Sequence, residues 1–116
     1  MAIGSLHEIV IDCSNPEALA RFWQALIGGE VDVESRDWAV LDGDDEGFYF
    51  GFQRVPEAKS GKNRIHIDVE VDDLVRAVDE AEQLGARKLG DVIDEEDGSI
   101  QVMADPGGNE FCFIVS

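Results

Sequence analysis

Residues 8–28, EIVIDCSNPEALARFWQALIG, and residues 66–85, HIDVEVDDLVRAVDEAEQLG, say nearly the same thing twice. Each reads as a strand of alternating character, a polar helix start and a helix closed by glycine. Laid over each other with one gap, the copies set Glu8 opposite His66, Ile9 opposite Ile67 and Ile11 opposite Val69. A chain made of two such copies tends to fold with pseudo-twofold symmetry, and groups that meet across the axis become the candidate site. Here those groups are a carboxylate and an imidazole.

Within the first copy, alternation puts Ile9, Ile11 and Cys13 on one face and Glu8, Val10 and Asp12 on the other. A slip of one residue would exchange the faces and bring His7 forward in place of Glu8. Asn15 suits an N-cap and Pro16 the first helical position. Leu19, Phe22, Trp23 and Leu26 then form an apolar stripe that Gly28 ends. Short strands follow near 30–34 and 37–41, turning at Ser35-Arg36. A longer one over 47–55 carries Phe48, Phe50 and Phe52 on one face, with Tyr49, Gly51 and Gln53 on the other.

In the second copy Ile65, Ile67, Val69 and Val71 face one way, and His66, Asp68 and Glu70 the other. Asp72 or Asp73 caps a helix whose core face is Leu74, Val78, Ala81 and Leu84, closed by Gly85. Strands near 87–93 and 98–104 follow, then the turn Asp105-Pro-Gly-Gly-Asn109. The last strand, Glu110 to Val115, alternates Phe111, Phe113 and Val115 with Glu110, Cys112 and Ile114. Each copy is therefore βαβββ, in an α+β fold. The expected organisation is one domain over 1–116, with module one at 6–55, a linker at 56–63 and module two at 64–116. Arg54, Lys59, Lys62 and Arg64, four of the nine basic residues, gather in and beside that linker.

A chain of 116 residues with 44% hydrophobic residues is enough for one packed core. No basic, apolar leader opens it and no run is long enough to span a bilayer. Cys13 and Cys112 lack metal-ribbon spacing, so a reduced, cytoplasmic protein is expected. The net charge of −17 argues against nucleic acid and anionic membranes and suits a cationic ligand. A solvated acidic surface is the plainer account of it. The acidic runs Asp42–Gly47 and Asp94–Gly98 read as hairpin turns. The first is not a calcium loop, because Gln53 stands where a bidentate glutamate is needed.

Three segments together resemble the vicinal oxygen chelate superfamily: Asn15-Pro16 through Phe22-Trp23 to Gly28, then His66 through Leu74, then Met103-Ala-Asp-Pro-Gly-Gly-Asn-Glu-Phe-Cys112. That group includes glyoxalase I, extradiol dioxygenases, fosfomycin-resistance enzymes and bleomycin-binding proteins. The chain is most similar to its compact glyoxalase-like branch. The resemblance implies two βαβββ modules curled into a cup, a small organic ligand within it, and a homodimer.

The resemblance also implies metal positions, and these are altered. Glu8 stands at the first and Gly51 or Gln53 at the second. His66 keeps the third, and Cys112 takes the fourth with Glu110 two residues before it. Glu8, His66 and Cys112 would suit zinc, but a metal-free cup with Glu8 and His66 hydrogen-bonded is the favoured expectation. The acids expected in the cup are Glu8, Asp12, Asp68, Glu70 and Glu110, with no Lys or Arg among them. Glu8 and His66 form the candidate acid/base couple of a lyase or isomerase. Gln53, Cys112, Glu110 and Asp68 complete the ligand-binding set. The alternative is a non-catalytic protein that sequesters or senses a cationic drug.

Overall fold

The computed structural model describes residues 2–44 and 47–115. Asp45 and Glu46, in the acidic turn expected at 42–47, lie outside the described residues. The chain divides into two compact units, one running to Ala58 and one beginning at Lys59.

The first unit comprises β1 (Glu8–Cys13), α1 (Pro16–Ile27), β2 (Glu30–Ser35), β3 (Trp38–Asp42) and β4 (Tyr49–Arg54). Its sheet runs β1-β4-β3-β2, with β1 parallel to β4 and the other pairs antiparallel. The helix begins where the sequence says it should. Asn15 is extended and its side chain accepts the Ala18 N–H at 3.2 Å, satisfying one of the helix's orphan donors.

Leu19, Phe22 and Trp23 are buried, and Trp23 stacks on Phe50 with ring centres 6.4 Å apart. Phe52, Ala39 and Leu41 complete the core beneath α1. Burying each large side chain contributes roughly 1.5–3 kcal/mol, so this face settles the register. Gly29, with φ of +99°, closes the turn into β2, where a side chain would strike the Asp42 carbonyl.

The second unit comprises β5 (Ile67–Glu70), α2 (Leu74–Gln83), β6 (Arg87–Lys88), β7 (Ile93–Glu95), β8 (Gly98–Ala104) and β9 (Glu110–Val115). Its sheet runs β5-β9-β8-β6, β7 also pairs with β8, and β5 is parallel to β9. Asp73 is the cap, accepting the Arg76 N–H at 3.1 Å. The carboxylate of Asp105, 3% exposed, accepts the N–H groups of Gly107 and Asn109 at 2.9 Å each. That ties the 105–109 turn.

Three expectations are corrected here. The strand expected at 87–93 is two pieces, β6 and β7. Between them Gly90 takes a φ of +80° and its carbonyl accepts the side-chain amide of buried Gln101 at 3.1 Å. Leu84 is 46% exposed because α2 stops at Gln83 and leaves Leu84 as its C-cap. Ile65 is 71% exposed because it precedes β5 and does not share its inward face. Each unit is nevertheless a βαβββ module, the second with its first strand after the helix broken in two. Among the described residues no helix is long and apolar enough to cross a membrane.

Candidate functional site

In the first module α1 covers one face of the sheet and the other is open. Strand pairing sets the open face out in rows. Glu30, Asp42, Tyr49 and Glu8 lie side by side across the four strands. The next row is Asp32, Val40, Gly51 and Val10, and the third sets Trp38 beside Gln53 and Asp12. A cavity of about 530 Å³ opens over the first row and over Asp32 and Val40 of the second, with Trp38 also among its lining residues. That volume falls in the range that takes a drug-sized molecule, roughly 300–1,000 Å³.

The middle of the second row is the tightest point. A Cβ on Gly51 would lie 2.9 Å from Glu8 Oε2 and 2.9 Å from Cζ2 and Cη2 of Trp38. Two side chains from the flanking strands thus lean over the bare backbone of β4 and meet there. Glu8 is half-buried, while the carboxylates of Glu30, Asp32, Glu34 and Asp42 reach the cavity from exposed positions. None of the described residues lining it is Lys or Arg. Glu8 belongs to β1, and His7 just before it also lines the cavity, its ring edge-on to Tyr49 at 5.4 Å.

The second module's open face is different. Asp68, Cys112 and Val102 form one row, and Glu70, Ile114 and Ile100 the next. Burial raises the Cys112 thiol pKa, Asp68 raises it further, and Lys62 opposes them weakly. A thiol shifted in this direction is a weaker nucleophile near neutral pH.

Glu110, expected among acids without basic neighbours, has a lysine partner. Lys59 Nζ lies 2.9 Å from its Oε2, and Oε1 accepts the Asn63 N–H at 3.0 Å. Asn63 Nδ2 donates to the Glu110 carbonyl at 3.2 Å. Lys59, whose hydrogen bond is the largest influence, holds the Glu110 carboxyl below the usual range. The Lys59–Asn63 segment is therefore fastened to the start of β9. His66 follows it, exposed, with Nε2 3.3 Å from the Asn63 carbonyl. A carbonyl only accepts, so any hydrogen bond here is donated by the ring.

The residues named from sequence thus distribute as follows. Glu8 lies on the cavity with His7, Trp38 and Tyr49, while Gln53 is exposed on the same face beyond the cavity's lining. Cys112 and Asp68 are cross-strand partners. Glu110 and His66 are joined through Asn63.

A metal fits this donor set poorly. Gly51 offers no donor and its space is filled, and Glu110 is paired with Lys59. Among the described residues no group of three or more His, Cys, Asp or Glu is placed to hold one. Sequence reading missed the acids of β2. Their signal was the strict alternation Glu30-Val-Asp-Val-Glu34, with carboxylates at every second position.

Residues 8–114 match the glyoxalase-like domain family, and the chain belongs to that family, within the vicinal oxygen chelate superfamily. Solved structures show the same fold. A glyoxalase/bleomycin resistance protein/dioxygenase family enzyme from Burkholderia phytofirmans aligns with TM-score 0.74 at 21% identity, covering 97% of this chain and 98% of that one. A fosfomycin resistance protein from Mesorhizobium loti gives 0.72 at 16%, covering 100% and 94%. A bleomycin-binding protein from Streptomyces verticillus, solved with copper(II)-bleomycin, gives 0.63 at 21%, covering 100% and 99%. No functionally curated protein matches the chain in sequence.

Proposed function

We propose that this protein binds a small, positively charged organic molecule in the cavity on the first module's open face, without needing a metal. The observation that carries this reading is the lining itself: aromatic walls, five carboxylates and, among the described lining residues, no basic side chain. Such a surface concentrates cations from solution and repels anions. The fold-level likeness to a bleomycin-binding protein agrees with a binding role.

Calorimetric titration and thermal shift with a panel of aromatic ammonium compounds test the reading. Saturable binding that weakens as salt is raised supports it, since exposed carboxylates are screened. Absence of saturable binding for every cation in the panel, or equal binding of anionic analogues, overturns it.

A second reading is proton transfer by a lyase or isomerase, with His66 as its acid or base. What supports it is that His66 is exposed and its ring sits 3.3 Å through Nε2 from the Asn63 carbonyl, so a positioned imidazole is open to a substrate. His66→Ala with the fold intact should then abolish turnover of the substrate. Unchanged turnover removes His66 from the chemistry.

A further inference from the structure

We infer that Trp38 and Glu8, brought together over Gly51, form a subsite for a bulky, weakly hydrated organic cation, such as a methylated ammonium, in preference to a primary ammonium or a metal ion. The inference rests on the binding role proposed above and names the chemical class of its ligand.

Gly51 leaves a gap on the open face of the sheet. Its position in the second row, between Val40 and Val10, would ordinarily carry a side chain standing up from the sheet. With none there, the benzo edge of Trp38 and the carboxylate of Glu8 approach the same point over β4, each 2.9 Å from where a Cβ would be. A half-buried indole wall and a half-buried carboxylate are thereby held side by side on one cavity. The other carboxylates on the rim are exposed and hydrated, and a cluster of that kind alone selects nothing.

The pairing with an indole is what discriminates. The face of a ring, not its edge, attracts a cation through the quadrupole, by roughly 0.5–2 kcal/mol, and only to the extent that the cation sheds water. A primary ammonium holds its water through three strong donors and gains little. A methylated ammonium spreads its charge over carbon, loses little hydration and gains apolar contact besides. A divalent ion needs several oxygens converging on one point. Here Glu8 and Asp42 are two strands apart, about 10 Å at the backbone, with Tyr49 between them.

Choline, ethanolamine and 3,3-dimethylbutan-1-ol separate the terms. The first two differ in methylation, the first and third in charge. Each is titrated into the whole protein by calorimetry and by following the indole N–H signals in NMR at constant ionic strength. Trp38→Leu, Gly51→Ala and Glu8→Gln are run alongside, with folding checked by circular dichroism.

Choline should bind at least tenfold more tightly than ethanolamine or the alcohol and move the Trp38 indole signal. Trp38→Leu and Gly51→Ala should erase that preference, the latter by pushing the indole off its seat. If choline and ethanolamine bind equally, with Trp38→Leu without effect, the subsite is overturned while the cation-binding cavity stands. If the alcohol binds as tightly as choline, the charge preference is overturned. If none binds saturably, the underlying reading falls with the subsite. The comparison on the unaltered protein decides the matter even where a variant fails to fold.

Discussion

A methyl group on Gly51 would have to share its space with Glu8 Oε2 and two carbons of the Trp38 ring. Gly51→Ala should therefore cost about 1–3 kcal/mol through overpacking, measured by denaturant unfolding. In a Trp38→Leu background the same change should cost less than half as much, because the ring that resists it is gone. Strictly additive costs would show that the indole does not occupy the gap. Glu110 makes a pH prediction. Its carboxyl is held below the usual range, by the Lys59 hydrogen bond first and by Asn63 after it. A lowered acid stabilises the fold above its unfolded pKa, and that stability is lost as pH falls through the folded value. Glu110→Gln should thus cost about 1–3 kcal/mol at neutral pH, and the gap from the unaltered protein should close as pH drops below the ordinary glutamate range. A gap independent of pH would assign the loss to packing. For Cys112, whose thiol pKa is raised by burial and then by Asp68, alkylation by iodoacetamide in the native protein should trail that of a model thiol at pH 8. Native alkylation as fast as in denaturant would contradict the burial.

At the scale of elements, the helices show what sequence can carry. Asn15 and Asp73 each cap a helix by accepting an N–H three residues on. Asn15→Ala should lower stability by about 1 kcal/mol, read from the midpoint of urea unfolding. A loss below a few tenths would mean that Pro16 and the buried stripe start α1 unaided. Such caps, the apolar stripe of α1 and the alternation of β1, β4 and β9 are local signals, so the module pattern was legible from residues close in sequence. The break between β6 and β7 was not. It depends on Gln101 reaching back to the Gly90 carbonyl, a contact between residues eleven apart in a different strand. The site divides along the same line. Glu8 and the bare Gly51 could be placed on the open face by counting in twos. That Trp38 leans across to fill Gly51's gap depends on strand order and register, which alternation does not encode. Glu110 was placed on the correct face of β9, but its partner lies in the segment read as linker, where no periodicity marks a residue for pairing.

Across the whole molecule the governing fact is charge: 26 acidic residues against nine basic, for a net −17. Two salt effects then compete. Screening weakens the ion pairs, such as Arg21–Glu17 at 3.6 Å and Arg76–Glu80 at 3.0 Å. Both are more than half exposed at each side chain, and pairs of that kind contribute about 0–1 kcal/mol. Screening also relieves the mutual repulsion of the unmatched carboxylates, which opposes the compact state. The excess of acid over base greatly outnumbers these pairs, so relief should win. Raising sodium chloride from 10 mM to 1 M shortens the screening length from about 30 Å to about 3 Å. The melting temperature should climb across that range, each 1 kcal/mol of stabilisation showing as roughly 4 °C in a domain of this size. The same salt should weaken cation binding at the first module's cavity, because its rim belongs to the same field. A protein that grows more stable while binding its cation less well is the expected pattern. A melting temperature that falls with salt would mean that paired charges dominate despite their small number. Binding that ignores salt would mean that the Trp38 wall, rather than the acidic rim, supplies nearly all of the affinity.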